Sequence, residues 1–155
     1  MNAKVESLKD KFFEDFKIGD FATLTHVFTR EDVDAYKNIL GDDNPLHFDE
    51  EFAKEKGFKG CLVQGMLTAG LAVTLAGTKL PGPGAILAHS SFEWERPVCV
   101  GDEVIMKVTV AELHGQRRLG RVVLMVEGFV GVAIVIVGTI TLCVSYKNGV
   151  PKATA

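Results

Sequence analysis

The stretch that most restricts what this chain can fold into is CLVQGMLTAGLAVTLAGTKL, residues 61–80, in which Lys79 is the only charged side chain. Leu and Met recur there at helical spacing, with Gly65, Ala69, Gly70, Ala72, Ala76 and Gly77 between them. A helix that is apolar on every side has to be buried on every side, so the segment is expected to run through the middle of a domain. After it the period changes to two. Residues 84–97, 102–115, 118–128 and 132–147 carry strand patterns. In the second of these, Val104, Met106, Val108 and Val110 share one face, while Glu103, Lys107 and Thr109 share the other. Consecutive strands joined by short turns make an antiparallel sheet.

Ahead of the apolar helix, DFATLTHVF (20–28) reads as one more strand. Thr29-Arg30-Glu31-Asp32 then opens a capped helix, with Val33, Tyr36 and Ile39 or Leu40 on one face and Gly41 as its stop. A short helix is expected over 50–56, capped by Asp49 and ended by Gly57. The fold class is therefore α+β, a long central helix wrapped by a curved antiparallel β-sheet. One wrapped layer leaves an edge strand that a second copy would cover, so a homodimer or higher homo-oligomer is expected.

At 155 residues one domain spanning 1–155 is expected. Seventeen basic residues stand against 20 acidic ones, a net charge of −3, which leaves no basic stripe for nucleic acid. Cys61, Cys99 and Cys143 are odd in number and widely spaced, as expected of free thiols in a reducing, cytoplasmic setting. The N-terminal MNAKVESLKDKFFEDFKIGD mixes both charges and lacks the pattern of an export or transit signal. The apolar run 129–144 falls short of the roughly 20 residues a membrane helix needs and contains Gly131, Gly138, Thr139 and Thr141; a buried strand is the expectation.

The polar turn GDDNPLH, residues 41–47, stands apart from this framework. Pro45 restricts Asn44 to extended conformations, and Asn44 can hydrogen-bond nearby backbone, so Asp42 and His47 sit on a fixed frame. A carboxylate beside an imidazole can exchange protons with one water, but taken alone such a pair is more often a helix-end cap and a packing residue. Gly65, at the start of the apolar helix, has two readings as well: a backbone N–H open to a developing oxyanion, or a small residue chosen for packing.

The run Tyr36-x-x-x-Leu40-Gly41-Asp42-Asp43-Asn44-Pro45-Leu46-His47-x5-Ala53 resembles the signature of the MaoC-like, R-specific enoyl-CoA hydratases. QGMLTAGL (64–71), LPGPGAI (80–86) and FEWERPVCVGDEV (92–104) resemble the same family in the same order, from about Phe12 to Tyr146. The resemblance implies the hot-dog fold, with a catalytic pair at Asp42 and His47 and an oxyanion-hole amide at Gly65. It implies reversible addition of water to a trans-2-enoyl thioester, of CoA or of acyl carrier protein, giving the R-3-hydroxyacyl product without a metal or redox cofactor. Asn44, Gln64 and Met66 are expected to contact the substrate. Which of Asp42 and His47 is acid and which base stays open, because coupled groups titrate as a pair. The chain departs from the family pattern at Gln64, where many members have histidine, and at Leu40, where many have a small hydroxyl residue; both positions bear on acyl-pocket shape.

Other candidates read more plainly. His26 and His89 fall in strands, and His114 in a hairpin turn. Arg117, Arg118 and Arg121, with Lys107 and Lys147, form either a solvated sheet face or contacts to the phosphates of an acyl carrier arm. Phe92 and Trp94 are expected in the core, one of them as a wall of an acyl tunnel. Two alternatives remain: an acyl-CoA thioesterase, against which stands the absence of Asp, Glu and Ser from 62–77, and a non-catalytic acyl-CoA-binding or assembly subunit.

Overall fold

Alternation of side chains sets the sheet. In β3 (Glu103–His114) Val104, Met106, Val108 and Val110 are buried and their neighbours face the other way. β4 (Gly120–Val130) repeats this with Val122, Leu124 and Val126. With β1 (Phe21–Val27), β2 (Ile86–Trp94) and β5 (Ala133–Val144) they form an antiparallel sheet in the order β1-β3-β4-β5-β2. This is a computed structural model, and it describes residues 11–116 and 118–149. Arg117 lies outside the described residues, as do residues 1–10 of the N-terminal segment. Bulges at Leu87/His89, Val110/Glu112 and Gly128/Phe129 add local bend to the long strands.

The hollow of that sheet takes α4 (Gly65–Thr78), which buries Thr68, Ala69, Ala72, Leu75 and Ala76 and packs on β3, β2, β1 and β5. The all-round burial expected for this helix is corrected: Met66 is 57% exposed, and Thr74 and Gly77 face outward. A single layer of strands covers only one side of a helix, so the other side lies open in one chain. The residues just before α4 are extended rather than helical. Leu62 bridges Cys99, the Val63 N–H donates to the Val98 carbonyl (2.8 Å), and the Val100 N–H donates to that of Cys61 (3.0 Å).

Three smaller helices lie outside the sheet. α1 (Arg30–Leu40) starts at the Thr29 capping box and ends at Gly41, whose φ of +76° needs glycine's freedom. The expected plain turn at GDDNPL closes instead into one helical turn, α2 (Pro45–Phe48). Proline fits that first position because a helix has no acceptor for the N–H it lacks. Asn44 before it is extended (φ −54°, ψ 123°), and its side chain accepts the Leu46 N–H. α3 (Glu50–Glu55) is capped by Asp49, as its sequence indicates.

Phe92 packs half-buried against the core, but Trp94 is corrected to a half-exposed position at the end of β2. The apolar run 129–144 is mostly β5, with Ile136, Ile140, Leu142 and Val144 buried. Among the described residues no helix is long and apolar enough to cross a membrane. All three cysteines are free thiols.

Candidate active site

The turn carrying Asp42 and His47 is pinned from two directions. The Leu62 N–H donates to the Leu46 carbonyl (2.9 Å), and the His47 Nδ1–H donates to the Leu62 carbonyl (2.8 Å). One residue of the extended arm before α4 thus fixes both the backbone and the ring. Arg30, in the first turn of α1, donates to the His47 carbonyl (3.2 Å) and lies over the Phe48 ring at 5.1 Å. The arm is braced in turn by Asp102, which accepts the Cys99 N–H (2.8 Å) and pairs with Lys59.

The bond to Leu62 decides the chemistry of the imidazole. A carbonyl only accepts, so Nδ1 carries the proton, and in the neutral ring Nε2 presents a lone pair. That Nε2 stands 3.7 Å from Oδ2 of Asp42, with the two side chains 13% and 34% exposed. Asp42 is itself held by its other oxygen, which accepts the Asn44 N–H (3.2 Å). Two acceptors at this separation cannot bond to each other, but both lie within reach of one water, which has a hydrogen for each.

His47 lines a pocket of about 350 Å³ together with Gly65, Thr68, Trp94, Arg96 and Val98. Gly65 is the first residue of α4, where backbone N–H groups have no intrahelical acceptor. Among the described residues no side chain caps this end. The Leu67 N–H is taken by the Gln64 carbonyl (3.0 Å), so the Gly65 and Met66 N–H groups, with the positive end of the helix dipole, remain for a negatively charging atom. Burial pushes the Cys99 thiol up from its ordinary pKa, with the Asp102 carboxylate adding to the effect, so the buried thiol of this framework stays protonated.

The structure brings Asp42, His47 and Gly65 to one place, whereas Asn44, Gln64 and Met66 do not line the pocket at His47. Asn44 caps α2. The Gln64 side chain is buried and its nitrogen donates to the Val33 carbonyl (3.4 Å), turned toward α1. Met66 lines a second pocket of about 320 Å³ with His26, Phe28, Asp32 and Tyr36. Lys107 pairs with Glu127, and Arg118 and Arg121 are exposed; none of the three lines the pocket at His47. His26 pairs with Asp32 (2.8 Å) and His114 with Glu112 (2.7 Å). The sequence does not single out Leu62 or Arg30 for the site, and each enters it through a contact between elements far apart in the chain; Arg96 lines the pocket.

Residues 19–128 match the model of the MaoC like domain. A 3-hydroxybutyryl-CoA dehydratase of Methylorubrum extorquens is 40% identical over 114 residues, which cover 74% of this chain and 73% of that protein. An (R)-specific enoyl-CoA hydratase of Rhodospirillum rubrum is 37% identical over 107 residues, covering 69% and 74%. Among solved structures, an (R)-hydratase from A. caviae involved in PHA biosynthesis superposes with a TM-score of 0.78 at 34% identity, over 83% of this chain and 97% of that one. The chain belongs to the MaoC-like family and has its hot-dog fold. The resemblance carried by GDDNPLH and the segments after it is borne out.

Proposed function

We propose that the protein is an R-specific enoyl-CoA hydratase, acting in reverse as a 3-hydroxyacyl-thioester dehydratase, a hydro-lyase of fatty-acid metabolism. The observation that carries this reading is the 3.7 Å gap between two proton acceptors, His47 Nε2 and Asp42 Oδ2, beside a pocket that also holds the open end of α4. The names of the relatives, hydratase and dehydratase, support the same chemistry.

In this reading the thioester oxygen lies at the Gly65 N–H, where the helix dipole stabilises the enolate-like charge that builds up as the β-carbon is attacked. A water between Asp42 and His47 gives one hydrogen to each and turns its lone pair toward the β-carbon. As its oxygen adds, one proton passes to the pair and one passes from the pair to the α-carbon, so protons balance over the cycle. Both transfers come from one side of the double bond, which fixes the stereochemistry.

The reaction as written needs no cofactor, and activity is expected to survive dialysis against a chelator. β2 borders only β5, so its outer edge is free of strand pairing among the described residues. We take that edge to pair with a second copy, giving a homodimer. The free thiols suit a cytoplasmic setting. The test is loss of the enoyl-thioester absorbance of crotonyl-CoA or a longer enoyl-CoA, with the product resolved by chirality. The R-3-hydroxyacyl product supports the reading; no hydration across a chain-length series, or the S product, contradicts it.

A further inference from the structure

The end of α4 at the pocket lacks a side-chain cap, yet one side chain does hold it. The indole N–H of Trp94, on β2, donates to the Gly65 carbonyl at 2.9 Å. That carbonyl also accepts the helical bond from four residues on, so the indole uses its second lone pair. We propose that Trp94 is a positioning residue for the oxyanion-binding turn. It fixes the orientation of Gly65, the residue with least backbone restraint, so that the neighbouring N–H groups stay aimed into the pocket. The proposal rests on the hydratase reading above and adds a residue to it.

The same indole explains why position 65 is glycine. Gly65 does not have the positive φ that would call for one. A Cβ built there, however, comes within 3.2 Å of both Cε2 and Nε1 of Trp94. Alanine is a better helix former than glycine, so conformation alone would favour it; what opposes it is the ring. A side chain at 65 is tight against the indole and requires the donor that holds the turn to shift. Trp94 also forms a wall of the pocket beside His47 and Thr68, so a shift of the ring is felt where the substrate lies.

Trp94 is the chain's one tryptophan, so its indole proton gives a single, assignable amide-region resonance. In the intact wild-type protein that proton is expected to exchange slowly with solvent despite the ring's exposure. Trp94→Phe keeps a ring and deletes the donor. It is expected to lower kcat roughly three- to tenfold with KM changed by less than about twofold, the split that loss of an aligning hydrogen bond gives. A merely structural role would lower the melting temperature and leave kcat of the folded fraction alone. Gly65→Ala should lose more activity than Trp94→Phe, and Gly65→Ala combined with Trp94→Ala should recover part of that loss, because the collision is removed. A Trp94→Phe enzyme with wild-type kcat, or a fast-exchanging indole proton in an active wild type, overturns the positioning role and leaves the hydratase reading standing. A wild type inactive on every enoyl-CoA overturns both.

Discussion

Helices α1 and α4 begin in opposite ways. At α1 the capping groups close on one another: the Thr29 hydroxyl accepts the Asp32 N–H (3.3 Å), and Oδ2 of Asp32 accepts both the Thr29 N–H (2.9 Å) and His26 Nε2 (2.8 Å). At α4 the N-cap residue, Gln64, turns its side chain away toward Val33, and no side chain accepts from the first turn. A cap stabilises a helix by occupying its free N–H groups, and those groups are what an oxyanion site needs. One end therefore serves the fold, and the other is left open at the pocket, held from its carbonyl side by Trp94.

Four changes break or sharpen this contrast. The largest effect belongs to the buried middle of α4, which its open end does not anchor. Leu75→Ala, at a fully buried position, should cost about 2–5 kcal/mol in a denaturant melt. Gln64→Ser gives α4 the hydroxyl that α1 has. It should lower kcat measurably, though by less than the hundredfold that outright loss of an oxyanion donor brings, while circular dichroism shows the helix retained. Thr29→Ala removes the cap of α1 and should cost about 0.5–2 kcal/mol of stability with kcat unchanged.

The smallest effect is in the acid limb. The Thr29 N–H bond is the main force holding the Asp32 carboxyl below its ordinary pKa of 3.8; burial opposes it and the His26 contact assists. A depressed folded value means the carboxylate stabilises the fold above that ordinary pKa and loses this contribution as pH falls through the folded one. Asp32→Asn should therefore flatten the drop in stability below about pH 4 in acid melts.

Much of this was legible in the chain. The alternation of Val104, Met106, Val108 and Val110 places β3 correctly, and Thr29 and Asp49 mark two helix starts, because strand faces and caps are local devices. GDDNPLH announces a rigid Asp–His turn for the same reason. What sets the imidazole's tautomer is the Leu62 carbonyl, and what steadies α4 is the Trp94 indole. Those partners are brought together by the crossing of distant elements, which no local pattern encodes. The apolar pattern of α4 also implied burial on every side, whereas one curved sheet covers only part of it.

The proposed acid–base pair is the point on which the functional account turns, and turnover of Asp42→Asn and His47→Gln on an enoyl-CoA tests it most directly. Each variant, folded by circular dichroism, should fall by at least about a hundredfold in kcat, the scale of a lost acid–base group. Folded variants turning over at wild-type rates would contradict it.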